Sequence, residues 1–332
     1  MKKLSFLILL AVLTPAVSCA KLTPEEDEHR AKTCGRPDPQ FDKYPWINQF
    51  GVTIVRRRDS EIRPAFLISP RHLVANVNDV FDSAYDRKTK KSNDNIWYYA
   101  QTGNVVDDKM CVNNVLKFSE KELKGVFGFF GADRFIKAVS MIYIGNCDTG
   151  VPPTGIVIME IEKPSHEAGW IKTGRPLVPI CVAVKETSVE KGEAVQLQTM
   201  RGRGGVRGIP EVHDHDENDS SELTVSECNF QPKHDFSFCL KTSCSYWPGG
   251  AAVKKVDGAE TLLAMIVRPQ QLEKNCDDAA DHGVSIGFFQ DKICEFAGIC
   301  KQTIVEKSDS SSATVPGLIY FLAIIVFLHL SQ

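Results

Sequence analysis

Cys244-Ser245-Tyr246-Trp247-Pro248-Gly249-Gly250-Ala251-Ala252-Val253 is the stretch on which the fold turns. A cysteine is followed after four residues by a Gly-Gly pair and then by small apolar residues. The charged segment Lys254 to Gly258 and the apolar run Thr261-Leu262-Leu263-Ala264-Met265-Ile266-Val267 come next. Paired glycines let the chain turn sharply, and short apolar runs bounded by polar turns read as buried strands. The stretch is therefore a tight loop feeding a buried β-hairpin.

Outward from this loop lie 332 residues, 43% of them hydrophobic, enough for one large all-β domain or two smaller ones. A formal net charge of -3 gives no electrostatic reason to expect nucleic acid as a partner. Met1-Lys2-Lys3, the apolar Leu4 to Val17 and the small Ser18-Cys19-Ala20 read as a secretory signal peptide over residues 1–20, removed before Lys21. Its removal takes Cys19 and leaves ten of the eleven cysteines, an even count that implies up to five disulfides in a secreted chain. Only Cys239 and Cys244 approach zinc-ligand spacing, and no second close pair completes a site. The run His213-Asp214-His215-Asp216 lies in the polar stretch Met200 to Glu222 and reads as a solvated loop, so neither metal nor cofactor is expected.

At the other end, Gly317 to Leu330 is an apolar run of fourteen residues. That is short of the roughly 20 needed to span a bilayer. The small, polar Ser308-Asp309-Ser310-Ser311-Ser312-Ala313 precedes it, as an attachment site and spacer for a GPI anchor would. A short membrane helix recruiting Ala313 to Pro316 is the alternative. Residues 301–316 then form a polar stalk and 317–332 a hydrophobic tail, placing the protein outside the cell or on its surface, with the tail as its membrane contact.

Between these ends the pattern is mostly strand. Residues 21–33 are charged, and Thr23-Pro24-Glu25-Glu26 predicts the start of a surface helix. Ile47, Gln49, Val52 and Ile54 partly alternate after Tyr44-Pro45-Trp46, and Phe66 to Ala75 forms two strands about a Ser-Pro-Arg-His turn. Asp82 to Asn95 is polar and reads as a solvated loop. Trp97 to Gln101, Cys111 to Phe118, Gly155 to Ile161 and Gly192 to Gln198 read as strands, with shorter apolar runs in Val126 to Ile144. Asn218-Asp219-Ser220 is the one glycosylation sequon and falls in the polar Met200 to Glu222 loop. Phe288 to Ala297, stopped by Gly298, reads as a C-terminal helix.

The order of these motifs resembles trypsin-like serine proteases from about Cys34 to Cys300. In that family the opening loop reads Cys-x-Gly-Asp-Ser-Gly-Gly-Pro, where the Ser attacks and backbone N–H groups form the oxyanion hole. Here Tyr246, Trp247 and Pro248 occupy the Gly, Asp and Ser positions. The family's Ala-Ala-His-Cys falls on Asn76-Val77-Asn78-Asp79, and its Asp-Ile-Ala-Leu-Leu strand on Gly155 to Met159. Asn78, Gly155 and Pro248 thus stand where base, carboxylate and nucleophile would be. His72, in the preceding turn, has no catalytic role by the same comparison. The sequences around Cys34-Gly35 and the Cys-Glu-x-x-Gly-Ile-Cys tail are similar to a nematode-expanded branch of trypsin-like proteins of unknown function.

The resemblance implies an all-β fold of two antiparallel Greek-key barrels, with residues 34–170 as the first barrel and 171–300 as the second plus a C-terminal helix. It implies the pairs Cys34–Cys181, Cys244–Cys276 and Cys228–Cys239. Of the possible pairings of the remaining four cysteines, Cys111–Cys147 and Cys294–Cys300 are the ones expected. It implies an inactive protease homologue that works by binding a peptide, an active protease or a microbial molecule, in a defence role, with Trp247 and Tyr246 as candidate contacts. An active hydrolase using other residues and a structural extracellular component are the alternatives.

Overall fold

The computed structural model describes residues 21–37, 45–54, 59–77, 81–86, 91–99, 105–106, 111–124, 126–129, 135–146, 154–162, 178–187, 189–200, 218–228, 234–241, 250–267 and 280–301. In chain order the first half supplies β1 (Ile47–Ile54), β2 (Asp59–Ser69), β3 (His72–Asn76), β4 (Phe81–Asp86), β5 (Lys91–Tyr99), β6 (Val105–Val106), β7 (Val115–Lys117), β8 (Val126–Phe129), β9 (Phe135–Asn146) and β10 (Thr154–Ile161). The second half supplies β11 (Cys181–Val182), β12 (Ala194–Met200), β13 (Asn218–Val225), β14 (Ser237–Lys241), β15 (Gly250–Val256), β16 (Ala259–Val267) and β17 (Ala280–Ser285). A helix stands at each end, α1 (Pro24–Thr33) and α2 (Gln290–Ala297), the latter entered through a 3-10 turn at Gly287–Phe289.

Two antiparallel sheets each close on themselves. The first runs β1-β2-β3-β10-β9-β8 and back to β1. The second runs β12-β13-β14-β17-β16-β15 and back to β12. In both, two three-strand meanders join first strand to first and third to third, the Greek-key order repeated twice. Closure leaves no ring strand with an unpaired edge. β7 and β11 pair onto the outside of the rings, and β4, β5 and β6 form a separate small sheet.

Local chemistry sets the turns. Asp257 (φ 51°) and Gly258 (φ 79°) are both left-handed, the two-residue geometry that joins β15 to β16 without splaying them. Asn113 (φ 53°) and Asn114 (φ 61°) do the same between Val112 and Val115, because a short amide side chain tolerates that region. The strand expected from Cys111 to Phe118 is therefore a turn followed by the short β7. β3 is buried along its whole length, as is nearly all of β10. Both of their faces are covered, which is why they read as near-continuous apolar runs.

The largest apolar cluster draws Phe66, Val74 and Ile156 from the first barrel, Met265 and Val284 from the second, and Ile293 from α2. A smaller cluster, including Leu197, Leu240 and Ala264, fills the second barrel. The core is therefore continuous across the two barrels rather than divided between them.

Three expectations need correction. Within Asp82 to Asn95, residues 82–86 and 91–95 are not loop but lie in the paired strands β4 and β5, since backbone hydrogen bonds between strands do not require apolar side chains. The polar Met200 to Glu222 stretch contains the start of β13, and Asn218 of the sequon pairs in register with Met200. α1 is also more than a surface helix. Thr23 and Glu26 close a capping box at its start, but Asp27, Arg30 and Ala31 are buried. Its charges resemble a solvated face in the sequence because their partners lie at the far end of the chain.

Three disulfides are closed, Cys34–Cys181, Cys228–Cys239 and Cys294–Cys300. Cys111 is disulfide-bonded as well. Cys147, Cys244 and Cys276 lie outside the described residues, as do the signal peptide, the His213–Asp216 run, the stalk and the tail. Among the described residues no helix is long and apolar enough to cross a membrane, and no cluster of metal-ligating side chains forms.

Candidate functional site between the barrels

The ends of four strands meet at the seam between the barrels. Ile156 at the start of β10 pairs with Asn76 at the end of β3. The buried Asn76 amide donates from Nδ2 to the carbonyl of Ile266 in β16, at 3.1 Å. Ile266 in turn pairs with Gly250 at the start of β15. The chain of contacts brings together Ile156, Asn76 and Gly250, each within two residues of a position that the sequence resemblance sets against the triad. Gly155 precedes Ile156, Asn78 lies two residues beyond Asn76, and Pro248 two residues before Gly250. Asn78 and Pro248 themselves, with Trp247 and Tyr246, lie outside the described residues.

A second tie crosses the seam nearby. Trp46, fully buried just ahead of β1, donates its indole N–H to Oε1 of Gln198 in β12 at 2.8 Å. The Gln198 Nε2 is buried and has no hydrogen-bond partner. Asn76 and Gln198 are functional-site neighbours that motif reading missed. Their signal in the sequence was faint: Asn76 ends the apolar run Leu73-Val74-Ala75, and Gln198 is one of two glutamines in Ala194–Met200.

Of the three positions that the sequence resemblance sets against the triad, Gly155 is the one the structure describes, and backbone packs closely around it. It lies directly opposite Gly145 of β9. A Cβ on Gly155 would sit 2.1 Å from the carbonyl oxygen of Ile144 and 2.7 Å from the Gly145 Cα. The phenol of Tyr143 closes the same corner, with its oxygen 2.6 Å from the Asn146 carbonyl and 3.0 Å from that of Thr154. No side chain fits at position 155, a carboxylate least of all. Gly145, next to the last residue of β9, permits this close strand contact.

His72 is buried at the opposite end of β3 from Asn76, across from Glu160 of β10. The Ser69 hydroxyl accepts the backbone N–H groups of Arg71 (3.2 Å) and His72 (3.0 Å), which leaves its own proton for His72 Nδ1 at 2.7 Å. The imidazole proton is therefore on Nε2, which is buried without a hydrogen-bond partner. Burial, reinforced by the charge of Arg71, pushes the His72 pKa down to about 3. Ser69 and His72 are both fully buried, so this pair meets no substrate. Glu160 accepts from the Ser140 hydroxyl at 3.0 Å beside it. Among the described seam residues Trp46, Asn76, Gly155, Ile156, Gln198, Gly250 and Ile266, none is ionisable, so they offer no general acid or base.

The profile of the nematode trypsin-6-like family matches residues 4–300. The chain belongs to that family. This trypsin-6-like protein is thus a trypsin-like protease homologue with the two-barrel architecture described above. Among curated proteins no sequence matches it. Among solved structures, the crystal structure of the scabies mite inactivated protease paralogue S-I1 is similar, with a TM-score of 0.41 and 15% sequence identity over 76% of this chain and 94% of that one.

Proposed function

We propose that this trypsin-6-like protein is a catalytically inactive protease homologue, exported and held at the cell surface by its C-terminal tail, that acts by binding a protein or peptide at the seam between its barrels. The packing at Gly155 supports the reading, because a side chain at the position that the resemblance sets against the catalytic carboxylate would meet backbone of β9. The residue types at the other two positions agree with it. Asn78 supplies no base, and Pro248 has neither a nucleophilic atom nor a backbone N–H. Pro248 thereby lacks both the attacking group and one oxyanion donor. Loss of a single triad member can cost on the order of 10^6 in rate.

Neither described alternative restores the chemistry. The Ser69–His72 pair is sealed in the core, and the described residues that tie the seam together, Trp46, Asn76, Gln198 and Ile266, contribute amides, an indole and backbone, with His282 paired to Val267 beside them. Such a surface suits recognition of a peptide by hydrogen bonds and apolar contact, with Trp247 as aromatic anchor. A fluorophosphonate probe applied to the purified protein should leave it unlabelled. Labelling that disappears in Ser245→Ala would show a rebuilt nucleophile and sink the proposal. A photo-crosslinking residue at Trp247 should trap a bound partner where the same group at Lys191, exposed on the second barrel, does not.

A further inference from the structure

In both barrels the N-terminal segment lies at the strand ends remote from the seam. β3 and β10 have their seam ends at Asn76 and Ile156. At their other ends Arg71 binds the Lys21 carbonyl and the Glu26 carboxylate, and Ile161 N–H donates to the Arg71 carbonyl. β15 and β16 meet the seam at Gly250 and Ile266. At their turn end Glu260 N–H donates to Gly35, and Gly35 N–H to Pro179, beside the Cys34–Cys181 disulfide. From Ile266 to Glu260 the strand runs about 20 Å.

The same pole holds the other end of the described chain. Leu22 N–H donates to the carbonyl of Ala297, the last residue of α2. The Asp27 carboxylate accepts the N–H groups of Cys300 (2.9 Å) and Lys301 (2.7 Å) while binding Arg30 Nε at 2.8 Å. Arg30 donates in turn to the Lys301 carbonyl at 2.7 Å. α1 is thus a built receptor for residues 300 and 301, and it fixes where the stalk leaves the fold.

We propose that the pole bearing α1 and Lys301 is the membrane-side face of the molecule, and that the opposite pole, marked by Asn76, Gly250 and Ile266, is the face offered to a soluble extracellular protein. This rests on the reading of residues 317–332 as an anchor. Fifteen residues separate Lys301 from Gly317, and a flexible linker of that length would have an r.m.s. reach of roughly 20 Å, comparable to the length of the barrel strands. The polarity is therefore a difference in mean height rather than a rigid posture.

The test uses the full chain on cells, with an azido residue placed at Lys32 on α1 or at Asn146, which pairs with Thr154 at the seam end of β10. Each is coupled to a donor dye, and energy transfer to an acceptor in the outer leaflet is measured. Lys32 should give the higher transfer, a Lys32-to-Asn146 ratio above one. A ratio at or below one overturns the proposal. A second chain keeps residues 1–316 and replaces the native tail with an unrelated membrane-spanning helix. If the native tail fails to hold the protein on cells, the anchor reading falls, and this second chain still decides the polarity by the same ratio.

Discussion

His72 is fully buried, an environment far from that of a free side chain. Its native pKa of about 3, against 6.5 for the free side chain, means that the folded protein refuses a proton which the unfolded chain accepts. Stability from this site is complete above pH 6.5 and falls with acidification, by about 1.4 kcal/mol per pH unit, until it levels off near pH 3. Burial pushes His282 in the same direction and adds to the trend. Chemical denaturation at pH 6 and pH 4 should therefore show a loss that His72→Gln reduces by about 2–3 kcal/mol. An unchanged slope in that variant would place the acid sensitivity elsewhere. The sequence reading gave His72 no catalytic role; the burial of Ser69 and His72 supplies the physical ground, since neither group reaches solvent.

At the level of the element, α1 shows how charge on a helix can be misread. Asp27 and Arg30 are spaced as an ordinary exposed ion pair, yet both are 2% exposed and bonded to backbone 271 to 274 residues away. Asp27→Ala would leave the Arg30 guanidinium buried without its counter-charge, and about 3–5 kcal/mol of stability should go with it. Replacing both residues with Leu should cost less than the single change, because no charge is then stranded. Urea midpoints of the two variants check this. Equal losses would mean that the backbone contacts, and not the ion pair, hold the pole together. Gly35, at the end of the same segment, has φ +63°, and a Cβ there would meet the Glu260 carbonyl oxygen at 2.2 Å. The strap therefore passes the second barrel at backbone contact distance.

Across the whole molecule, closure of the barrels does not depend on protease machinery. The rings depend on strand pairing, the continuous core and disulfides, each bridge stabilising by about 2–5 kcal/mol, and none of these needs a triad. Reversion should confirm the separation. Asn78→His with Pro248→Ser should fold, whereas adding Gly155→Asp should lower stability by about 3 kcal/mol through the clash with β9. Neither variant should hydrolyse a chromogenic peptide ester, and turnover by the triple variant would show that β9 can yield. Much of this architecture was legible in the residues alone. The Gly-Gly hairpin, the Ser-Pro-Arg-His turn, the strand at Gly155 to Ile161 and the helix stopped by Gly298 all follow from local patterning. Local patterning could not supply the β4–β5 hairpin, the strand carrying Asn218, or the buried face of α1, because each depends on pairing with distant chain. The loop at Cys244 to Val253 and the residues Asn78, Gly155 and Pro248, which the resemblance sets against the triad, belong to the sequence by itself, for side-chain identity decides whether a residue can supply a nucleophile or base. That Gly155 leaves no space for a carboxylate, that Asn76 ties one barrel to the other, and that both ends of the fold gather at one pole were decided by tertiary structure, since only packing brings backbone from distant strands within van der Waals and hydrogen-bond reach.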